Sequence, residues 1–123
     1  MAKIDQLLQE IRTELGGDFV ATDIVGSDGI SIAGTSANPG YDGSAASARF
    51  AMVMKLSSKV SDKLALGSVQ ENMATTADMI VLARYLGNGS YFWVIAVPKD
   101  ATLGSVRMVM NEYADQLWNA IPH

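Results

Sequence analysis

Between residues 79 and 97 the chain reads MIVLARYLGNGSYFWVIAV, which is two apolar runs separated by the tetrapeptide Gly87-Asn88-Gly89-Ser90. Glycine and asparagine at such a junction are typical of a hairpin turn, and runs with little polar alternation are typical of strands covered on both faces. An antiparallel hairpin that is covered on both faces needs helices on both sides of its sheet. Residues 79–97 therefore predict the central strands of a sheet between two helical layers.

The other elements follow from the period of the apolar residues on either side of this hairpin. An amphipathic helix is predicted before Gly16-Gly17, because its apolar residues recur every three or four positions. Alternation of apolar and polar residues predicts strands, and clusters of glycine, proline and small polar residues predict the turns and loops between elements. In chain order, we expect a helix ending at Leu15, strands over 18–25 and 30–33, a loop over 34–43, a long helix over 44–66, a polar strand over 68–76, the hairpin strands over 79–86 and 91–97, and a helix over 102–120.

This order predicts an α+β fold with three layers, α/β/α, around a five-stranded antiparallel sheet. The elements run helix-strand-strand-helix-strand-strand-strand-helix. The 123 residues are expected to form one domain, because this length supports a single core and no linker or internal repeat interrupts it. We expect the first and last helices on one face of the sheet, the long helix on the other, and the polar strand over 68–76 at an edge.

The composition excludes most catalytic chemistry. The chain has no cysteine, and its single histidine is the last residue, His123. A thiolate nucleophile, a Ser-His-Asp triad and a multi-histidine metal site are therefore excluded, and we expect no enzymatic activity. Lack of cysteine is also typical of a reducing compartment, and the chain starts with a charged helix instead of an apolar signal segment. We expect a cytoplasmic protein with no membrane-inserted segment.

Charge and motifs argue against ligands that carry phosphate. The formal net charge is -4, whereas nucleic-acid binding requires a basic field. No GxxxxGK[ST] motif is present. The glycines of residues 26–29 join two predicted strands, whereas a phosphate-binding loop must lead into the N-terminus of a helix. Turn and capping roles are favoured over a metal site for the carboxylates near the first hairpin, Asp18, Asp23, Asp28 and Asp42. We expect no nucleic acid, no directly bound nucleotide, no metal and no cofactor.

The long helix over 44–66 carries apolar residues on more than one face. Projection at about 100° per residue predicts a core-facing arc, formed by Ala46, Phe50, Val53, Leu56, Val60 and Leu64. The predicted outward face begins with small or apolar residues, Ala45, Ala48, Ala51 and Met52. The helix also has a charge of +3, which leaves -7 for the rest of the chain. Its basic residues are expected either to dock an acidic partner or to form an ordinary solvated face.

Four features occur along the chain in a particular order and spacing. They are the helix ending in Gly16-Gly17, the turn Asp28-Gly29 leading into Ile30-Ser31-Ile32-Ala33, the passage Tyr41-Asp42-Gly43-Ser44-Ala45-Ala46, and the segment Thr102-Leu103-Gly104-Ser105-Val106-Arg107. Together they resemble the roadblock family, which includes dynein-associated light chains, scaffold subunits that hold small GTPases on lysosomes, and MglB-type regulators of bacterial GTPases. The resemblance covers nearly the whole chain and implies a roadblock/profilin-like fold. It also implies a dimer in which edge strands pair and the long helices lie side by side.

The residues themselves offer what such a dimer needs, because a polar edge strand leaves backbone groups free and small side chains let helices approach. We expect a homodimer interface made by Ala45, Ala48, Ala51, Met52, Ser68, Val69, Gln70, Glu71 and Asn72. We expect a separate partner-binding surface made by Arg49, Lys55, Lys59 and Lys63. The resemblance implies that the partner is a small Ras-like GTPase and that no arginine is donated to it, so Arg84 and Arg107 are not expected to be arginine fingers.

The favoured hypothesis is therefore a non-catalytic homodimeric regulator or scaffold that binds a GTPase through its long helix and activates, recruits or tethers it. Two alternatives stay open. One is a dynein-light-chain-like cargo adaptor, and the other is a sensory domain that binds a small molecule between sheet and helix. The dense apolar composition shows little sign of a polar cavity, which weighs against the sensory domain.

Overall fold

The computed structural model describes residues 2–40 and 43–122. Its elements are α1 (Ala2–Leu15), β1 (Ala21–Gly26), β2 (Ser31–Ser36), α2 (Gly43–Lys63), β3 (Glu71–Thr75), β4 (Met79–Leu86), β5 (Tyr91–Pro98) and α3 (Leu103–Ala120). A single 3₁₀ turn, Gly16–Asp18, follows α1. The predicted order of elements and the α+β class are confirmed.

The strands form one antiparallel sheet in the order β2-β1-β5-β4-β3. β5 is the middle strand, and its residues from Phe92 to Val97 are all buried. β1 and β4 flank it, so the hairpin predicted to be central does lie inside the sheet. β3 lies at one edge, as its polarity predicted, and β2 lies at the other.

One face of the sheet carries the larger core. Apolar side chains of α1, including Ile4 and Ile11, pack with those of α3 against Leu82, Trp93 and Ile95 of the sheet. The Trp93 indole N–H also donates to Thr22 Oγ1 at 2.7 Å, so its polar atom is satisfied inside this core. Burial of this apolar surface supplies most of the driving force for folding.

The opposite face is covered by α2 over a smaller core, which confirms the three-layer arrangement. Ala51 and Met54 of α2 meet four side chains of the sheet, Val25, Ala83, Phe92 and Val94. Phe50 is half-buried against the same cluster. Because few large side chains join α2 to the sheet, much of the surface of α2 is left for other contacts.

β2 is longer than predicted and continues to Ser36. Gly34 and Thr35 pair with Asp23 and Thr22 of β1, although the segment has none of the apolar alternation that marks a strand. The pairing is decided by the neighbouring strand, which supplies the hydrogen-bonding groups regardless of the side chains of β2.

α2 ends at Lys63 and β3 begins at Glu71, so the predicted boundaries of both elements are corrected. The chain leaves the helix through positive φ values at Ala65 (54°) and Gly67 (94°). Ser68, Val69 and Gln70, which were predicted to belong to the edge strand, precede it. Glu71 and Asn72 are the first two residues of the strand itself.

Candidate protein-interaction surface

α2 packs on the sheet with a different side from the one predicted. Where the structure describes burial in α2, the buried residues are Ser47, Ala51 and Met54. Ala51 is only 4% exposed, so its predicted place on the outward face is wrong. A Cβ atom built on Gly29 would lie 3.6 Å from Ala48 Cα and 3.6 Å from Ala51 Cβ, which shows how closely the β1–β2 turn approaches α2. Such an approach requires small side chains on the buried side of the helix.

A buried carboxylate ties the first half of α2 to the sheet. Asp23 of β1 accepts hydrogen bonds from the hydroxyl groups of Ser31 in β2 and Ser47 in α2. Burial raises the pKa of Asp23 above its ordinary value, and the two serine hydrogen bonds oppose that shift. A Cβ atom at Gly34 would lie 2.6 Å from Asp23 Oδ1, so the glycine leaves the space that the carboxylate occupies. Asp23 therefore has a structural role in the position of α2.

Tyr85 and Asn72 hold the second half of α2. The Tyr85 hydroxyl donates to the carbonyl of Met54 at 3.2 Å and lies 2.9 Å from Ser58 Oγ. Ser57 donates to Asn72 Oδ1 at 2.9 Å, so the side chain of Asn72 is used within the protomer. These contacts place the helix beside β3 and determine which side of it remains outside.

The side of α2 next to β3 is apolar and exposed. Val53, Leu56 and Val60 of α2 and Leu64, the residue after its end, are hereafter the apolar stripe; they are 46% to 64% exposed. Their predicted place in the core is therefore wrong. Leu56 and Val60 line a groove of about 490 Å³ whose other wall is formed by Val69, Gln70, Glu71 and Asn72. Four large aliphatic side chains, three on one face of α2 and one directly after it, are more than the scattered exposed residues that a monomer tolerates without consequence.

The edge of the sheet lies next to this groove. β3 pairs with β4 on one side, and among the described residues no strand pairs with its other side. Glu71 forms an ion pair with Arg107 of α3, with 2.6 Å between Oε1 and Nη2. This contact uses the Glu71 side chain inside the protomer, while its backbone remains part of the edge. The surface therefore joins a sheet edge, which can accept another strand, to an apolar helix face.

The basic residues of α2 are exposed beside the apolar stripe. Arg49, Lys55, Lys59 and Lys63 are all exposed, as predicted, and Arg49 Nη1 donates to the carbonyl of Ala45 at 3.1 Å. Met52 is 71% exposed. Ala48 is exposed beside the β1–β2 turn. Basic and apolar groups are thus both available for contact on the same helix.

The other residues considered at the sequence level take structural positions. Asp28 Oδ1 accepts the backbone N–H of Ile30 inside the β1–β2 turn, whereas Asp42 lies outside the described residues. In the described part of the chain, no three acidic or histidine side chains gather as a metal site. Arg84 donates to Asn111 at 2.7 Å and Arg107 pairs with Glu71. No described helix is long and apolar enough to span a bilayer.

Sequence reasoning missed the side of α2 that packs on the sheet, although a signal was present. Ser47, Ser57 and Ser58 lie near the buried side, where each meets a polar partner from a strand. A row of hydroxyl residues beside small ones in a long helix is compatible with close packing on a sheet that carries polar groups. The projection of apolar residues instead selected the strongest hydrophobic arc and took it for the core.

Comparison with solved structures identifies the architecture. Myxococcus xanthus MglB has a TM-score of 0.87 at 14% identity, covering 96% of this chain and 86% of that one. A structure described as MglB with tetrameric arrangement has a TM-score of 0.85 at 17% identity, covering 96% and 87%. A Roadblock/LC7 domain from Streptomyces avermitilis has a TM-score of 0.76 at 12% identity, covering 92% and 96%. The chain has the roadblock fold.

Comparisons of sequence find no relative of the chain, in contrast to the comparisons of structure. No protein-family model matches the chain, and no curated protein matches it in sequence. At identities of 12% to 17% the likeness concerns the roadblock fold alone. The roadblock fold does not by itself specify a function, which depends on the surface of α2 and β3.

Proposed function

We propose that the chain is a non-catalytic homodimer that binds a small Ras-like GTPase in the cytoplasm and regulates or anchors it. The observation that carries the proposal is the apolar stripe of α2 beside the open edge of β3. A monomer would leave this surface in water at a cost in free energy, whereas a second copy would cover it.

A two-fold axis beside β3 would bring both parts of this surface together. The two β3 strands would pair edge to edge, and the two apolar stripes would face each other across the axis, because an isologous contact matches each patch with itself. Val69, Gln70 and the backbone of Glu71 and Asn72 would lie inside this contact, since they form the groove wall. Of the predicted interface, Ala48 lies toward the β1–β2 turn, whereas Met52 lies one helical turn before Leu56 and borders the apolar stripe. The proposed interface is therefore centred on the apolar stripe.

The proposed GTPase surface is the basic part of α2. Arg49, Lys55, Lys59 and Lys63 make the helix positive in a chain of net charge -4, so an acidic partner would be steered toward it. The resemblance to MglB-type GTPase regulators and the structural likeness to two MglB structures support a GTPase as that partner. The description of one of them as tetrameric supports self-association in this fold.

Two measurements test the proposal. Sedimentation equilibrium of the purified chain should give the mass of two copies, and titration with a small Ras-like GTPase from the source organism should give binding that depends on GDP or GTP loading. Lys59→Glu should keep the dimer and weaken binding, because it reverses one charge of the basic surface. Lys99→Glu is the matched control, since Lys99 is exposed outside α2.

The outcomes separate the hypotheses. A monomer at micromolar concentration would overturn the dimer, and absence of binding to both nucleotide forms would overturn the GTPase partner. Equal binding to both forms would favour a scaffold or cargo adaptor over a regulator that responds to the GTPase switch.

A further inference from the structure

The outer side of β2 is a second open edge of the sheet. β2 pairs with β1, regularly from Ala33 to Ser36, and no described strand pairs with its other side. No residue from 31 to 40 is charged, whereas exposed strand edges commonly carry charged residues that prevent another strand from pairing. β2 lies at the opposite end of the sheet from β3, so a dimer formed through β3 would leave the β2 edge open.

The hydrogen bonds between β1 and β2 show which backbone groups point away from the sheet. The Ala37 N–H donates to the Val20 carbonyl at 2.8 Å. In an antiparallel pair, alternate residues direct their backbone groups at the partner strand. Thr35 therefore faces β1, whereas the N–H and C=O groups of Gly34 and Ser36 point outward. Gly34 is exposed, so the backbone of another chain can approach it without meeting a side chain.

On the face of the sheet that carries α1, a guanidinium lies beside this edge. Arg12 donates to Thr35 Oγ1 at 3.2 Å and to the Ser36 carbonyl at 3.4 Å. Among the described residues the only ion pair joins Arg107 to Glu71, so Arg12 has no carboxylate partner there. A guanidinium has five N–H donors, and these two hydrogen bonds leave others for a carboxylate at the edge.

On the face that carries α2, a polar cavity of about 280 Å³ adjoins the same edge. Its walls include Gly34, the hydroxyl of Ser31 and the buried carboxylate of Asp23. The two oxygens of Asp23 accept hydrogen bonds from Ser31 and Ser47. Each carboxylate oxygen has a second lone pair, so a small side chain with an O–H or N–H group suits this cavity.

We propose that the β2 edge binds an extended segment of a partner protein, which pairs antiparallel with β2 and carries an acidic residue followed by a hydroxyl or amide residue. Successive side chains of a strand point to opposite faces of the sheet. The residue opposite Thr35 therefore reaches Arg12 with its carboxylate, and the next residue, opposite Gly34, reaches the cavity with its donor. Strand addition takes affinity from the backbone and specificity from such alternating side-chain sites. The charge of Arg12 identifies the occupant as acidic.

Fluorescence anisotropy with a labelled peptide of blocked termini, Gly-Thr-Val-Glu-Ser-Val-Thr-Gly, tests the proposal. Glutamine in place of its glutamate should raise the Kd by about 5- to 10-fold, because the charge-assisted hydrogen bond to Arg12 is lost. Methylation of the serine amide should raise the Kd by about 10-fold, because that N–H pairs with the Gly34 carbonyl. Leucine in place of serine should also weaken binding, because it offers the cavity no donor.

Variants of the protein locate the carboxylate. Arg12→Gln should bind the glutamate and glutamine peptides equally, whereas Arg12→Lys should keep a preference for glutamate because it keeps the charge. Lys3→Gln is the matched control, since Lys3 is an exposed cation of the same helix and should leave the preference unchanged. Melting temperatures of the variants show whether each one is folded.

Several results would overturn the inference. Lack of saturable binding up to about 1 mM peptide would show that the edge accepts no such strand. A methylated or leucine peptide that binds as tightly as the original would exclude, respectively, backbone pairing and use of the cavity. A glutamate preference that persists in Arg12→Gln would place the carboxylate elsewhere. If sedimentation shows tetramers that the peptide dissociates, the occupant of the edge is a second copy of this chain. None of these results depends on GTPase binding through α2.

Discussion

Replacing Leu56 by alanine should weaken the dimer without weakening the fold. Leu56 belongs to the apolar stripe and is 64% exposed in the protomer. The substitution removes three carbon atoms, which are worth about 2.4 kcal/mol when fully buried, so the part that a second copy would cover is worth about 1.5 kcal/mol. A homodimer contains the site twice. The expected loss is about 3 kcal/mol, or a rise of about 150-fold in the dimer dissociation constant.

Sedimentation equilibrium over a range of protein concentrations measures this constant directly. The free energy of unfolding of the protomer should fall by less than about 1 kcal/mol, because only the buried third of the side chain contributes to the fold. Met108→Ala is the control, because it removes an equally exposed apolar side chain from α3. A dissociation constant for Leu56→Ala within about threefold of the control would refute the assignment of the apolar stripe to self-association.

Three further predictions concern the fold. Burial raises the pKa of Asp23 above 3.8, so its contribution to stability is fully present below that value and is lost as pH rises through the higher folded-state pKa. In urea unfolding, the free energy of unfolding of the unaltered protein should therefore increase relative to that of Asp23→Asn as pH falls toward 4. If the difference between the two free energies does not change with pH, the raised pKa is contradicted. Leu82→Ala should cost about 2–5 kcal/mol in the same assay, since Leu82 is fully buried in the larger core; a loss under about 1 kcal/mol would show that the core refills the space. Gly87→Ala should lower the melting temperature more than Gly67→Ala, because both have positive φ but only the Gly87 Cβ would meet a side chain, at 2.2 Å from the Trp118 ring; equal shifts would count against that close packing.

The β4–β5 hairpin shows how far sequence reasoning reached in the fold. Two apolar runs joined by a glycine-rich turn require cover on both faces, and β5 is indeed the middle strand between two helical layers. β2 shows the opposite case, because Gly34 and Thr35 are in a strand only through their pairing with β1. The local pattern of apolar residues predicts a strand when burial of that strand's own side chains stabilises it. The pattern fails to predict a strand that is stabilised mainly by pairing with an adjacent strand.

For the candidate site, the exposure of Arg49, Lys55, Lys59 and Lys63 was predictable from their charge. The apolar stripe was found in the sequence as a set of residues but was assigned to the wrong environment. Its four residues have helical spacing, and that spacing is the same whether a sheet or a second protein covers them. The contacts that determine which side of α2 faces the sheet join Asp23 to Ser47 and Tyr85 to Met54. In each pair the residues are more than twenty positions apart in the sequence.

By itself, the sequence determined the number, order and layering of the elements, because those follow from local apolar period and from the need to cover a buried hairpin. Only the tertiary structure decided the rotation of α2 about its own axis. That rotation depends on a buried carboxylate that needs hydroxyl donors and on a turn whose backbone approaches only small side chains. The sheet therefore took the small and hydroxyl-bearing side of α2, and its larger aliphatic side chains remained outside.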